Sequence, residues 1–350
     1  MGYITDSIEV TAPAVVKLFG DHAVLYGGIS VAAAIELRSK VMIEKDESEE
    51  SMLSIELQDL HSKASFDAQD LGKLYSSYES RDTSSTNRFS EYIAKNAEVN
   101  VNMLPSATIA AWLFEEYGAN VLGKRVRITS NVPIQRGFAS GAVCSTGFTV
   151  GMLKATGIKL SDMEIVDIAR HGERVSHASE GAGKIDVATS YFGGYVSTIE
   201  GGSREQVNMK FNIVIIDTGP KKSTAEMVRK VREQYDSDRE STQDKINRIN
   251  ECTRNSLDAL RREDMGRFCI CISKTQELLK ELGVSSEDLD RAVEIAKKEG
   301  AYAKLSGGGG GGGAIAITDK PDKLIKVMKD NGFGALKAEV SLDGAKKYLE

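Results

Sequence analysis

At 350 residues, 41% hydrophobic and 27% charged, the chain can bury a large core and is long enough for two domains. No apolar run is long enough to span a bilayer and the opening MGYITDSIEV lacks the regions of a signal peptide, so a cytoplasmic protein without a membrane partner is expected. A net charge of −6 argues against nucleic acid as a partner, and four cysteines without a C-x-x-C pair, beside four histidines at no metal spacing, read as reduced thiols.

Residues 8–10 predict an edge strand leading into PAVVKLFGDHAVLYGG, residues 13–28. Side chains alternate along a strand, so Val15, Lys17 and Phe19 share a face. A lysine there is costly to bury unless it meets an anion, and Asp21 and His22 follow at a glycine turn. A solvated turn with a snorkelling lysine is the plain alternative. Residues 29–37 and 40–43 continue a sheet. Residues 46–104 are polar and hard to read, with a loop expected over 80–87 and a helix near 90–95. Residues 107–117 predict a clearer helix with Trp112 on its buried side.

The stretch 133–146, PIQRGFASGAVCST, follows an alternating run at 126–130 and precedes apolar residues at helical spacing over 147–157. A strand, a tight small-residue loop and a helix start form a device for holding phosphate, because the first-turn N–H groups are free and the helix dipole favours an anion. Residues 163–179 predict a helix with Glu173 and His177 on one face. Asp186 stands among small and apolar residues, where it is either a helix cap or a working acid or base. Residues 200–203 read as a linker, dividing an N-terminal domain, 1–203, from a C-terminal domain, 204–350. Residues 211–217 predict a strand running into Thr218. Helices are expected over 222–235, 245–261, 265–282 and 288–299, with charged faces toward solvent. Seven consecutive glycines, 307–313, lie between two strands. Such a run costs backbone entropy, so it reads as a second backbone wall around a ligand rather than a flexible linker.

Together these stretches resemble the GHMP kinase superfamily, and within it the mevalonate kinases. PAVVKLFGDHAVLYGG resembles the first motif, P-G-K-x-x-L-F-G-E-H-A-V-V-Y-G. PIQRGFASGAV falls where P-x-G-x-G-L-G-S-S-A-A belongs. GERVSH, residues 172–177, resembles G-E-R-V-x-H, and Asp186 with Phe192-Gly193-Gly194 fits the catalytic aspartate segment. Lys304-Leu305-Ser306 with the glycine run resembles K-x-T-G-A-G-G-G-G. Any one of these matches could be chance; four motifs in order are specific.

The resemblance implies a two-domain α+β fold: a ribosomal protein S5-like N-terminal domain and a ferredoxin-like C-terminal domain. It implies ATP and Mg²⁺, with the phosphates on Gly137, Ala139, Ser140, Gly141, Ala142 and Ser145, and the metal on Glu173 and Ser140. Asp186 would take or orient the proton of the acceptor hydroxyl. The departures are instructive. The first-motif lysine is Val15 here, so Lys17 is expected to take its place. The usual Glu-His pair is Asp21-His22, and the second serine of the second motif is Gly141. Gln135 and Arg136 replace small residues, and two residues including Lys184 are inserted before Asp186. The added cations suggest a phosphorylated acceptor, mevalonate 3-phosphate ahead of mevalonate, with Arg136 and Lys184 as clamps and Asp21, His22 and Thr218 as further substrate contacts. A decarboxylase of the same fold and a non-catalytic ligand sensor are the alternatives. Family members are often dimers, so a homodimer is carried as an expectation.

Overall fold

A computed structural model describes residues 7–80, 88–133, 136–177, 184–199, 202–219 and 224–350. Strands β1 (Ser7–Phe19) and β2 (Val31–Lys45) form a long antiparallel pair. Pro13 has no N–H to donate, and the register slips between Pro13 and Ala14, so the bulge falls where the proline stands. The two sheet segments expected at 29–37 and 40–43 are thus one strand. Strands β3 (Leu53–Leu57) and β4 (Ser62–Phe66) form a hairpin, and α1 (Ala68–Glu79) starts at a capping box of Asp67 and Asp70. Then come α2 (Arg88–Lys95), α3 (Leu104–Tyr117) and β5 (Lys124–Ser130), which lies parallel to β3 and antiparallel to β2. Helices α4 (Ser140–Thr156), α5 (Asp162–His177) and α6 (Lys184–Phe192) precede the short strands β6 (Tyr195–Ser197) and β7 (Ser203–Arg204). The sheet order is β4-β3-β5-β2-β6-β7, with β1 on β2.

Helix α4 is buried along most of its length against β1 and β2. A Cβ on Gly147 or Gly151 would stand 3.0 Å from Val41 or Ile43, so those glycines let the helix lie close on the sheet. Trp112 of α3 is half-buried and stacks on His171 of α5 at 4.0 Å, with Tyr78 hydrogen-bonded to that imidazole at 2.8 Å; the expected packing role holds.

The second layer contains β8 (Asn212–Asp217), α7 (Thr224–Ser237), α8 (Arg239–Arg261), α9 (Met265–Glu281) and α10 (Glu287–Lys298). Strands β9 (Tyr302–Leu305) and β10 (Gly313–Ile317), helix α11 (Pro321–Asp330) and strand β11 (Gly334–Glu339) complete it. Its antiparallel order is β11-β8-β10-β9. Side chains of Asp238, Asp264 and Ser286 accept first-turn N–H groups of α8, α9 and α10. The chain finally returns to the first layer, where Val340 bridges to Ile35 and a 3-10 turn at Ala345–Tyr348 packs on α4. The architecture is two-domain α+β, as expected. Among the described residues no helix is long and apolar enough to cross a membrane. Residues 81–87 of the loop expected over 80–87, residues 178–179 of the helix expected over 163–179, Gln135, and the first two residues of the expected linker, 200–201, lie outside the described residues.

Candidate active site

Strand β1 anchors itself through buried Val15, Val16 and Leu18 and leaves Lys17 partly exposed. Helix α6 holds Asp186 in its first turn, where a carboxylate is favoured by the helix dipole. The two meet: Lys17 Nζ lies 3.2 Å from Asp186 Oδ2. The charge of Asp186, acting against burial, holds the Lys17 ammonium above its ordinary pKa. The other oxygen, Asp186 Oδ1, is buried and accepts no hydrogen bond among the described residues.

Glu173 of α5 is also buried. Desolvation, and then the negative charge of Asp186, push its carboxyl well above the usual carboxylate range, with Lys17 opposing. It faces the start of α4. Ala139 precedes that helix in the left-handed region, φ 57° and ψ 37°, and gives no side-chain cap. The ladder begins with Val143 N–H donating to Ala139 O at 3.0 Å, so the N–H groups of Ser140, Gly141 and Ala142 have no partner within the helix.

The two glycine-rich stretches touch. Gly137 has φ +88°, and a Cβ there would stand 2.9 Å from the carbonyl oxygen of Ser306; one on Gly313 would clash with the Arg136 carbonyl and the Phe138 ring. The glycine run is a pinned turn. Gly310 N–H donates to Val284 O at 2.8 Å, and Thr218 donates through both its N–H and its hydroxyl to Gly312 O, at 2.8 and 3.0 Å. Gly307 and Gly309 through Gly312 all have positive φ, which side-chain-bearing residues adopt only under strain.

A lysine that the sequence reading gave no role ties these pieces together. Lys304 is fully buried, and its ammonium donates to Asp21 Oδ2 at 2.6 Å, Leu305 O at 2.6 Å and Lys17 O at 3.2 Å. Its three protons are thus all placed. Asp21 is therefore bound to Lys304 through one oxygen, and only its Oδ1 is left without a partner among the described residues. His22, at φ 59°, donates from Nε2 to Gly308 O at 2.9 Å, and burial pushes its pKa down. Both first-motif polar residues thus reach across to the third motif.

The remaining expected contacts are less central. Arg136 Nε donates to Asp217 Oδ2 at 2.9 Å. Lys184 Nζ lies 4.0 Å from Asp167 Oδ1 of α5, and both side chains are exposed. Ser145 is buried toward α5: a Cβ on Gly172 would stand 2.6 Å from its hydroxyl. The side chain of His177 lies outside the described residues. No group of three or more metal-ligating His, Cys, Asp or Glu side chains occurs among the described residues.

The family model for the GHMP kinases N terminal domain matches residues 105–194, and that for the GHMP kinases C terminal matches residues 256–335. The mevalonate kinase of Pyrococcus horikoshii is 30% identical over 309 residues, covering 86% of this chain and 85% of its own. That of Pyrococcus furiosus is 28% identical over 347 residues, covering 97% and 98%. A crystal structure of mevalonate kinase superimposes with a TM-score of 0.76 at 22% identity, over 95% of this chain and 99% of that one. The Leishmania major mevalonate kinase in complex with R-mevalonate gives 0.75 at 18% identity, over 98% and 99%. The solved structures share the fold; the curated relatives, matched along most of both chains, share the sequence pattern as well. The chain belongs to the GHMP kinase family and is an ATP-using small-molecule kinase of the mevalonate kinase-like kind.

Proposed function

We propose that the protein transfers the terminal phosphoryl group of ATP to the 5-hydroxyl of a mevalonate-type acceptor, a step in making isoprenoid precursors. The observation that carries this reading is the Lys17–Asp186 pair near Glu173, which itself packs on the open start of α4. The relatives' names supply the acceptor class. The catalytic cleft would lie between the N-terminal half, 1–203, and the C-terminal half, 204–350. Strand β7 belongs with the first sheet.

In this mechanism Asp186 presents its unpartnered Oδ1 to the acceptor hydroxyl and orients it toward the phosphorus. A loose transition state requires little early proton transfer, so orientation does most of the task. Lys17, kept protonated by Asp186, stands close enough to stabilise charge on the transferring group. The N–H groups of Ser140, Gly141 and Ala142 bind phosphate oxygens, and the glycine run walls the opposite side and excludes water. The donor chemistry fits Mg²⁺. Glu173 is a buried carboxylate destabilised by Asp186, a situation a hard divalent cation relieves, and Ser140 offers a hydroxyl at the helix start. When bound, Mg²⁺ supplies neutralisation of phosphate charge.

A second reading, with mevalonate 3-phosphate as acceptor, is favoured by Arg136. Its side chain is 31% exposed beside the phosphate loop, and it binds Asp217 through Nε alone among the described residues. Its Nη groups remain for a phosphate. Lys184 would have to leave Asp167 to assist. ADP release should be assayed with mevalonate, its 3-phosphate and its 5-phosphate, and the product position read by phosphorus NMR. Mg²⁺-dependent ADP release with a new 5-phosphate supports the proposal. Release of CO₂ would identify a decarboxylase, and no turnover with any acceptor would identify a ligand sensor.

A further inference from the structure

The contact between Glu173 and Gly141 bears on how the cation is held, an inference that rests on the kinase reading. A Cβ built on Gly141 would stand 2.6 Å from Glu173 Oε2 and 3.2 Å from Cβ and Oγ of Ser176. The first distance is shorter than real Cβ contacts, so the carboxylate occupies the space that any side chain at position 141 requires. Glu173 is 1% exposed, on a helix packed along α4. Its carboxylate lies against the first turn of α4, where the helix dipole favours negative charge and where the N–H groups of Ser140, Gly141 and Ala142 have no partner within the helix.

We propose that Gly141 determines how this protein holds its divalent cation: the absent side chain admits the Glu173 carboxylate to the phosphate helix, and that carboxylate takes the place of the hydroxyl that the second-motif pattern carries at position 141. Conformational freedom does not explain the glycine, because Gly141 lies inside α4 and is not among the residues with positive φ.

The clash in a substituted protein falls on the far end of a flexible side chain, with Ser176 needing to give by a few tenths of an ångström. The substitution should therefore displace the Glu173 carboxylate without unfolding the chain. Three full-length variants test this: Gly141→Ala, Gly141→Ser and Glu173→Gln. Mn²⁺ binding in the presence of ADP is followed by electron paramagnetic resonance, metal-free ADP binding by calorimetry, and stability by thermal melting. Gly141→Ala is expected to weaken Mn²⁺ binding by roughly 10- to 100-fold, as displacement of a metal-supporting group does. Its melting temperature should stay close to the parent's, and any loss of metal-free ADP affinity should be much smaller than the loss of Mn²⁺ binding. Gly141→Ser should also weaken Mn²⁺ binding, because its hydroxyl occupies the carboxylate's space. Combining Gly141→Ala with Glu173→Gln should add no further loss to that of Glu173→Gln alone. Parent-like Mn²⁺ binding by Gly141→Ala, or tighter binding by Gly141→Ser, would overturn this inference alone. Failure of the parent protein to bind Mn²⁺ with ADP would overturn both it and the kinase reading.

Discussion

Two lysine–aspartate pairs sit close together in this molecule and differ in almost everything except composition. Lys304–Asp21 is 2.6 Å long with side chains 0% and 1% exposed; Lys17–Asp186 is 3.2 Å long with side chains 34% and 9% exposed. The first lysine has every proton assigned, two of them to backbone carbonyls, one being that of Lys17 itself. The second lysine meets one carboxylate among the described residues; in both pairs the aspartate Oδ1 has no partner there, so the contrast lies in the lysines and in their exposure. A dry pair whose lysine is saturated fixes geometry, because moving either partner strands a charge in a low-dielectric interior. A wetter, incomplete pair can exchange partners when a substrate arrives. The saturated pair thus holds β1 against the glycine run, and the incomplete pair faces the chemistry.

The sharpest way to break that contrast is to disable the incomplete pair. Asp186→Asn should lower kcat by roughly 100- to 10,000-fold while KM changes little, the signature of a group acting in the transition state. Lys17→Met should follow it with a smaller loss, and near-full turnover of that variant would remove Lys17 from the mechanism. Next comes the saturated pair. Lys304→Met should destabilise the protein by about 3–5 kcal/mol in urea unfolding, since it leaves Asp21 buried and uncompensated. Adding Asp21→Asn should cost less than the sum of the singles, and simple additivity would show that the pair is no latch.

A smaller effect follows from Glu173. Its pKa is raised in the fold, so between its ordinary value of 4.5 and the raised value the native state binds more protons than the unfolded chain. Stability of the metal-free protein therefore falls as pH rises through that window. Glu173→Gln should melt higher than the parent at neutral pH in chelator, with the gap closing as pH falls toward 4.5. A gap that widens on acidification would reverse the sign and the account with it. The smallest effect belongs to the exposed pair of Lys184 and Asp167. Lys184→Ala should change stability by no more than about 0.5 kcal/mol. In the 3-phosphate reading, Arg136→Ala raises KM for the phosphorylated acceptor and leaves that for mevalonate unchanged.

The contrast between the pairs also explains what the sequence displayed and what it hid. Strand alternation brought Lys17 to notice, and the glycine run could be read as a wall because nothing else justifies its backbone cost. The Lys304–Asp21 bond spans 283 positions, and no local pattern announces a partner that distant. Arg136 and Lys184 were visible as cations, but their carboxylate partners, Asp217 and Asp167, come from other elements. Ser145 fell within the phosphate motif, yet it lies one turn further into α4 than Gly141, on the same face and buried against Gly172 of α5. The segment 46–104 resisted reading because β3 and β4 are short, and β4 is largely exposed, so their apolar alternation is weak. The helix expected near 90–95 is α2, whereas the Asp67–Asp70 capping box that starts α1 is a local signal that went unread.

The most direct test of the whole account is a crystal structure with Mg²⁺ and a non-hydrolysable ATP analogue. The account predicts the phosphates against Gly137 to Ala142 on one side and the glycine run on the other, with the terminal phosphorus facing the open oxygen of Asp186. A nucleotide bound elsewhere, or a terminal phosphate remote from that carboxylate, would contradict it.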